Sequence, residues 1–200
     1  MTFTTILESN PFATRWTRPG AVRFDFDGRG TIDRLVERLA ECDWRGAIVG
    51  PHGSGKSTLV AALLPACEAA GRTATLFRLQ GGQRQLPETP GKLDGLEGTS
   101  LFVIDGYEQL GRLCRWRLAR RCRRMGSGLL VTSHRECGLP VLFRTEPKLS
   151  IVERLVDQSL PWHDGRIKQT DIDRAWQRHG PNVREVLFEL YDVFESRRRL

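Results

Sequence analysis

GPHGSGKS, Gly50 to Ser57, fits G-x-x-x-x-G-K-S at every constrained position. RGAIVG, Arg45 to Gly50, reads as a short buried strand before it, and Leu59, Val60, Leu63 and Leu64 mark one face of a helix after it. A glycine-rich turn between a strand and a helix is suited to wrapping phosphate. Gly50, Gly53 and Gly55 let backbone N–H groups close around the oxygens, and the helix start adds partial positive charge. Lys56 then reaches the β- and γ-phosphates, and the Ser57 hydroxyl takes a place on Mg²⁺. Gly50, Pro51, His52, Gly53, Ser54, Gly55, Lys56, Ser57 and Thr58 form the expected nucleotide-binding set, Thr58 as a further phosphate contact.

Working outward, RTATLFRL (Arg72 to Leu79), SLFVIDG (Ser100 to Gly106) and GLLVTSH (Gly128 to His134) read as three more strands. Asp105, ending an apolar strand, is the expected Walker B carboxylate that holds Mg²⁺ through water. Gly106 follows it, where many such ATPases carry a water-positioning glutamate. Glu108 comes next on the turn into a helix, either orienting water at the γ-phosphate or simply favoured by the helix dipole. That helix is expected over Tyr107 to Met125, with Tyr107, Gly111, Cys114, Leu118, Cys122 and Met125 on one face. Weaker strand signal recurs near Lys148 to Val152. Pro65 is expected to kink or end the helix after the phosphate loop. Strands alternating with helices or long crossovers imply a parallel α/β sheet covered on both faces.

Before the loop, residues 1–30 form an aperiodic arm. Thr31 then caps a helix with Ile32, Leu35, Val36 and Leu39 on one face. Helices are expected over Thr170 to His179 and Asn182 to Glu195, the second with a reciprocal capping box between Asn182 and Glu185. The division is an arm (1–30), a nucleotide-binding core (31–160) and a small helical lid (161–200). The long connection from Gln80 to Thr99 is either functional or hides a short helix.

The 200 residues carry 31 basic and 24 acidic side chains, a formal charge of +7. Such a balance could meet a polyanion or reflect arginine-rich composition alone. No run approaches the roughly 18 apolar residues of a membrane span, and a cytoplasmic chain is expected. Cys42, Cys67, Cys114, Cys122 and Cys137 are scattered without metal-ligand spacing, and read as buried thiols.

The order of these segments, over about Thr31 to Glu195, resembles the additional-strand class of P-loop ATPases, AAA+ proteins and their STAND relatives. The resemblance implies a three-layer P-loop NTPase with a helical lid. It also implies a polar residue at the end of the fourth strand facing the γ-phosphate, here Ser133 or His134. GPNVRE, Gly180 to Glu185, looks like the pattern that puts a lid arginine on the nucleotide, which gives Arg184 that role. With no N-K-x-D segment for guanine, and a family that is adenine-specific, ATP is the expected nucleotide. The family completes sites with a neighbour's arginine, so Arg144 is the candidate finger in a homo-oligomer, with Arg135 and Arg124 as alternatives.

The expected function is an ATP-binding protein and a slow or conditional Mg²⁺-dependent ATPase, with nucleotide state controlling self-association or partner binding. An ATP-binding switch or adaptor without hydrolysis is the alternative, as is a DNA-associated helper ATPase. A small-molecule phosphotransferase is weakest, because Gln80 to Thr99 carries only Arg84 and Lys92 as basic residues. The seven arginines from Arg112 to Arg124 could contact nucleic acid, though such a run is more often a solvated helix face. Phe24 and Phe26 either flank the adenine or pack in the core.

Overall fold

The computed structural model describes residues 10–13, 19–79, 81–86, 98–159 and 165–198. Most of the 80–99 connection, with Lys92, and the greater part of the arm before residue 19 lie outside them.

Helix α1 (Ile32–Glu41) starts at Thr31, whose hydroxyl accepts the Arg34 N–H at 3.2 Å. Strand β1 (Arg45–Val49) leads through the phosphate loop into α2 (Lys56–Ala69). That helix runs past Pro65 to Ala69 rather than ending early. Pro65 is exposed, so the carbonyl it leaves unpaired can meet water. Strands β2 (Thr73–Arg78) and β3 (Ser100–Asp105) follow. The single helix expected from Tyr107 is two pieces: a 3₁₀ turn, Tyr107–Gln109, and α3 (Arg112–Arg124). Leu110 is extended between them and buried in the core, which separates the turn from the helix.

After β4 (Gly128–Ser133) comes β5 (Val141–Arg144) and then α4 (Leu149–Ser159). The strand expected near Lys148 to Val152 is therefore helix, and the fifth strand lies upstream. Val152 and Val156, four residues apart, are the buried pair that fixes the helical face. Helices α5 (Gln169–His179) and α6 (Val183–Arg198) close the chain.

The sheet is five-stranded, in the order β2-β3-β4-β1-β5, and every pair is parallel. β4 thus sits between the phosphate-loop strand and the Asp105 strand. Side-chain alternation splits the core. Ile48, Leu101, Val103 and Leu130 face α1 and α2, whereas Ala47, Phe102, Ile104, Leu129 and Val131 face α3. A third core joins α4, α5 and α6 through Val152, Ile172, Val186, Leu190 and Phe194, and Phe12 of the arm is fully buried in it. The helical unit therefore draws on α4, upstream of residue 161.

The arm is tied down twice. The Asn10 amide donates to Tyr191 O at 3.0 Å and to Glu195 Oε1 at 2.9 Å. Farther along, Arg154 of α4 binds Asp25 Oδ2 at 2.5 Å and Asp27 Oδ1 at 2.9 Å, and Lys148 binds Asp27 Oδ2 at 2.7 Å. These cations hold both carboxyls below the ordinary 3.8.

Candidate nucleotide site

Open parallel sheets bind ligands beyond the carboxyl ends of their strands. Here β1, β3 and β4 end together at a cleft of about 700 Å³ between the sheet, the arm and the helical cluster.

The phosphate loop forms one wall. Gly50 N–H donates to Ser133 O at 3.1 Å, and a Cβ on Gly50 would lie 1.9 Å from Thr145 Oγ1. The Ser54 hydroxyl donates to Pro51 O at 2.8 Å and is hydrogen-bonded to the Thr145 hydroxyl at 2.6 Å. Gly53 and Gly55 have φ of +67° and +86°, and Gly55 opens α2 directly. Lys56 Nζ donates to Gly50 O at 2.8 Å and Pro51 O at 2.6 Å, so its ammonium lies inside the loop. Burial lowers the pKa of Lys56; the charges of Glu108 and Asp105 oppose that, and Arg184 adds to it. The cradle fits a polyphosphate: two glycines of the loop border the cleft at positive φ, and the Lys56 ammonium lies inside the loop.

The opposite wall is acidic. Thr132 donates its hydroxyl proton to Asp105 Oδ1 at 2.7 Å and accepts the Gly106 N–H at 2.8 Å. Thr132 and His134 border the cleft. Ser133 is buried in β4 and its hydroxyl accepts the Arg135 N–H at 3.4 Å. Sequence reasoning missed Thr132. Strand register would have found it, because Ile104 pairs with Val131 and the next step brings Thr132 level with Asp105.

Gly106 has φ of +93°, and a Cβ there would lie 3.0 Å from Leu79 O. The left-handed conformation at Gly106 starts the turn that carries Glu108, and both residues border the cleft. Glu108 Oε1 lies 3.4 Å from His134 Nε2, while Oε2 is buried with no hydrogen-bond partner among the described residues. Burial holds the His134 pKa below 6.5; Glu108 opposes this, and Lys56 and His52 reinforce it. The His52 ring lies 5.3 Å from that of His134.

The lid side comes from α6 and the residue before it. Asn182 Oδ1 stands 1.7 Å from where a Gly53 Cβ would be, so the lid rests on the phosphate loop. Arg184 and Val183 border the cleft just beyond. Of the reciprocal cap expected here, one half is present: Glu185 N–H donates to Asn182 Oδ1 at 3.4 Å, while the Asn182 N–H is taken by His179 O at 2.8 Å. The apolar end of the cleft has Val22 and Phe24 from the arm, Ile151 and Leu155 from α4, and Leu187 from α6. Phe24 also packs edge-on against Phe26 and Phe143, at centroid distances of 4.9 and 5.8 Å. Phe26 contacts these two rings and is packed against the core.

Arg144 ends β5, half-exposed and paired with Glu136. Cys67 and Cys122 are buried and their thiols are pushed up to about 11, so neither is a poised nucleophile. Cys42, Cys114 and Cys137 are only half-buried. Among the described residues no helix is long and apolar enough to cross a membrane.

Solved structures resemble the chain in fold. A Walker-type ATPase of Pyrococcus abyssi superposes with a TM-score of 0.53 at 12% identity, over 90% of this chain and 72% of that one. PCH-2 of C. elegans matches at 0.40 and 12% identity, over 96% and 71% of the two chains. A chain from the HORMA:CdnC:Trip13 complex of E. coli MS115-1 matches at 0.39 and 15% identity, over 75% and 70%. No protein-family model and no curated protein sequence matches the chain. Strand order, phosphate loop and the first of these likenesses together define the fold as that of a Walker-type P-loop ATPase with an additional strand, α/β in three layers, with helices at the C-terminus.

Proposed function

We propose that the chain binds Mg²⁺ and ATP in this cleft and hydrolyses ATP slowly or conditionally, its nucleotide state controlling association with itself or a partner. The phosphates lie along the loop amides and Lys56, and the base takes the apolar end beside Phe24 and Leu187. Ser57 and Asp105 hold Mg²⁺, which when bound offsets phosphate charge. Thr132 fixes the Asp105 carboxylate through its hydroxyl. His134 holds one oxygen of Glu108, and Arg184 carries positive charge from the lid toward the phosphates.

The observation that carries hydrolysis is the second oxygen of Glu108, a buried acceptor at the cleft wall with no donor among the described residues. An unpaired buried carboxylate oxygen is costly unless a ligand or water satisfies it. A small rotation of the Glu108 side chain toward the cleft it lines would let that oxygen accept from an attacking water as the general base.

Turnover of Mg-ATP is measured over a wide range of protein concentration, with Lys56→Ala as the blank. The proposal expects Glu108→Gln to lose roughly 100-fold in turnover while keeping ATP affinity. Specific activity that rises with concentration supports sites completed between copies, with Arg144 exchanging Glu136 for a neighbour's phosphate. Tight binding with turnover no greater than the blank supports the second reading, a switch that holds ATP without cleaving it. Gly106, standing where the usual glutamate would be, favours that reading.

A further inference from the structure

Helix α3 packs inward through Leu118 and Cys122, with Arg115 turned in over the Tyr107 ring. Everything else charged on it faces out. Arg112, Arg117, Arg120, Arg123 and Arg124 are exposed on one half of the helix, together with Leu113 at 57% and Trp116 at 58% exposure. Among the described residues no carboxylate pairs with Arg112, Arg117, Arg123 or Arg124, and Arg120 stacks on Trp116 with its guanidinium 5.6 Å from the ring centroid. Arg120 and Arg124 stand one helical turn apart, a like-charge spacing that costs helix stability until an anion relieves it.

We propose that this face is a binding site for single-stranded nucleic acid, with Trp116 as a stacking platform for a base and the flanking arginines on phosphates. Three features select that occupant. The face carries many cations and no acid, as surfaces that follow a phosphate backbone do. Its exposed indole can take an unpaired base but cannot reach one inside a duplex. The apolar part is confined to Leu113 and Trp116, too small a patch for the core of a protein–protein interface. The proposal is independent of what happens in the nucleotide cleft, since none of these side chains borders it.

The test is fluorescence anisotropy of a labelled oligothymidylate of about 20 nucleotides, titrated with the full chain at several salt concentrations. Binding that weakens with salt is expected, with Arg117→Gln and Arg120→Gln each flattening the salt slope by about 0.7. Trp116→Ala is expected to weaken binding roughly tenfold at unchanged slope, and Trp116→Phe to retain most of it. All these positions are exposed, so the variants should stay folded, with Arg120→Gln no less stable than the parent. The proposal is overturned if Trp116→Ala binds like the parent, if duplex of equal length binds as tightly as single strand, or if polyglutamate binds equally well. The last result would assign the face to an acidic protein partner.

Discussion

Thr132 bridges Asp105 and Gly106, giving its proton to the carboxylate at 2.7 Å and receiving the next residue's N–H at 2.8 Å. One hydroxyl therefore sets both the direction of the carboxylate and the start of the turn that carries Glu108. Thr132→Val keeps the shape and removes both bonds at a site only 1% exposed. A loss of about 1–3 kcal/mol in denaturant unfolding is expected, with Thr132→Ser recovering most of it. If valine unfolds at the parental midpoint, the bridge is dispensable.

Gly106 is a backbone requirement. Placing glutamate there, as many P-loop ATPases do, sets a side chain at φ of +93° with its Cβ 3.0 Å from Leu79 O. Gly106→Ala should cost about 1–2 kcal/mol for the left-handed conformation alone, and Gly106→Glu should lower turnover instead of raising it. Faster turnover in the glutamate variant would show that Glu108 is not the water-positioning group.

Gly53 and Asn182 mark where lid meets loop. A methyl group at residue 53 would collide with the Asn182 side chain at 1.7 Å and would also sit at φ of +67°. Gly53→Ala should weaken ATP binding at least tenfold by isothermal titration, a direct cost to the phosphate cradle and lid seating. Asn182→Ala in that background should restore part of the affinity, which separates collision from loop strain.

Asp171 and Arg197 clamp α5 to the end of α6 through bonds of 2.5 and 2.9 Å. The Arg197 hydrogen bonds hold the Asp171 carboxyl below its ordinary 3.8, against the effect of burial. A depressed carboxylate contributes stability in full above the unfolded value, and loses it as pH falls through the folded value. Stability should thus fall below pH 3.8, and Asp171→Asn should be less stable at neutral pH and less sensitive to acid over that window. Parallel stability–pH curves for the two proteins would contradict this.

The phosphate loop was legible because motif and flanking elements agree: a strand, a glycine turn and a helix can be read from one window around Gly50 to Ser57. Strand β5 was not, since Val141–Arg144 is four residues between turn segments and gives no period to count. Lys148 to Val152 read as strand because the window stopped short of Val156, the residue that reveals the 3.6 period. Thr132, the hydrogen-bond partner of Asp105, was not singled out in the sequence. All of β4 is buried, so accessibility does not single out one of its last residues, and only pairing across the sheet does. The division of the helix at Leu110 also escaped, because an extended residue between two helical turns leaves the apolar spacing nearly intact.

The arm meets the last helix across almost the whole sequence: Asn10 binds residues 181 and 185 positions away, and Phe12 fills the same core. Contacts of such long range carry a large loop-closure cost and slow folding. During synthesis the phosphate loop and the first sheet strands emerge well before α6 exists. The helical cluster must wait for residues near 195 to clear the ribosome before Phe12 has anywhere to bury. Until then the phosphate-loop side of the cleft has no helical wall across from it.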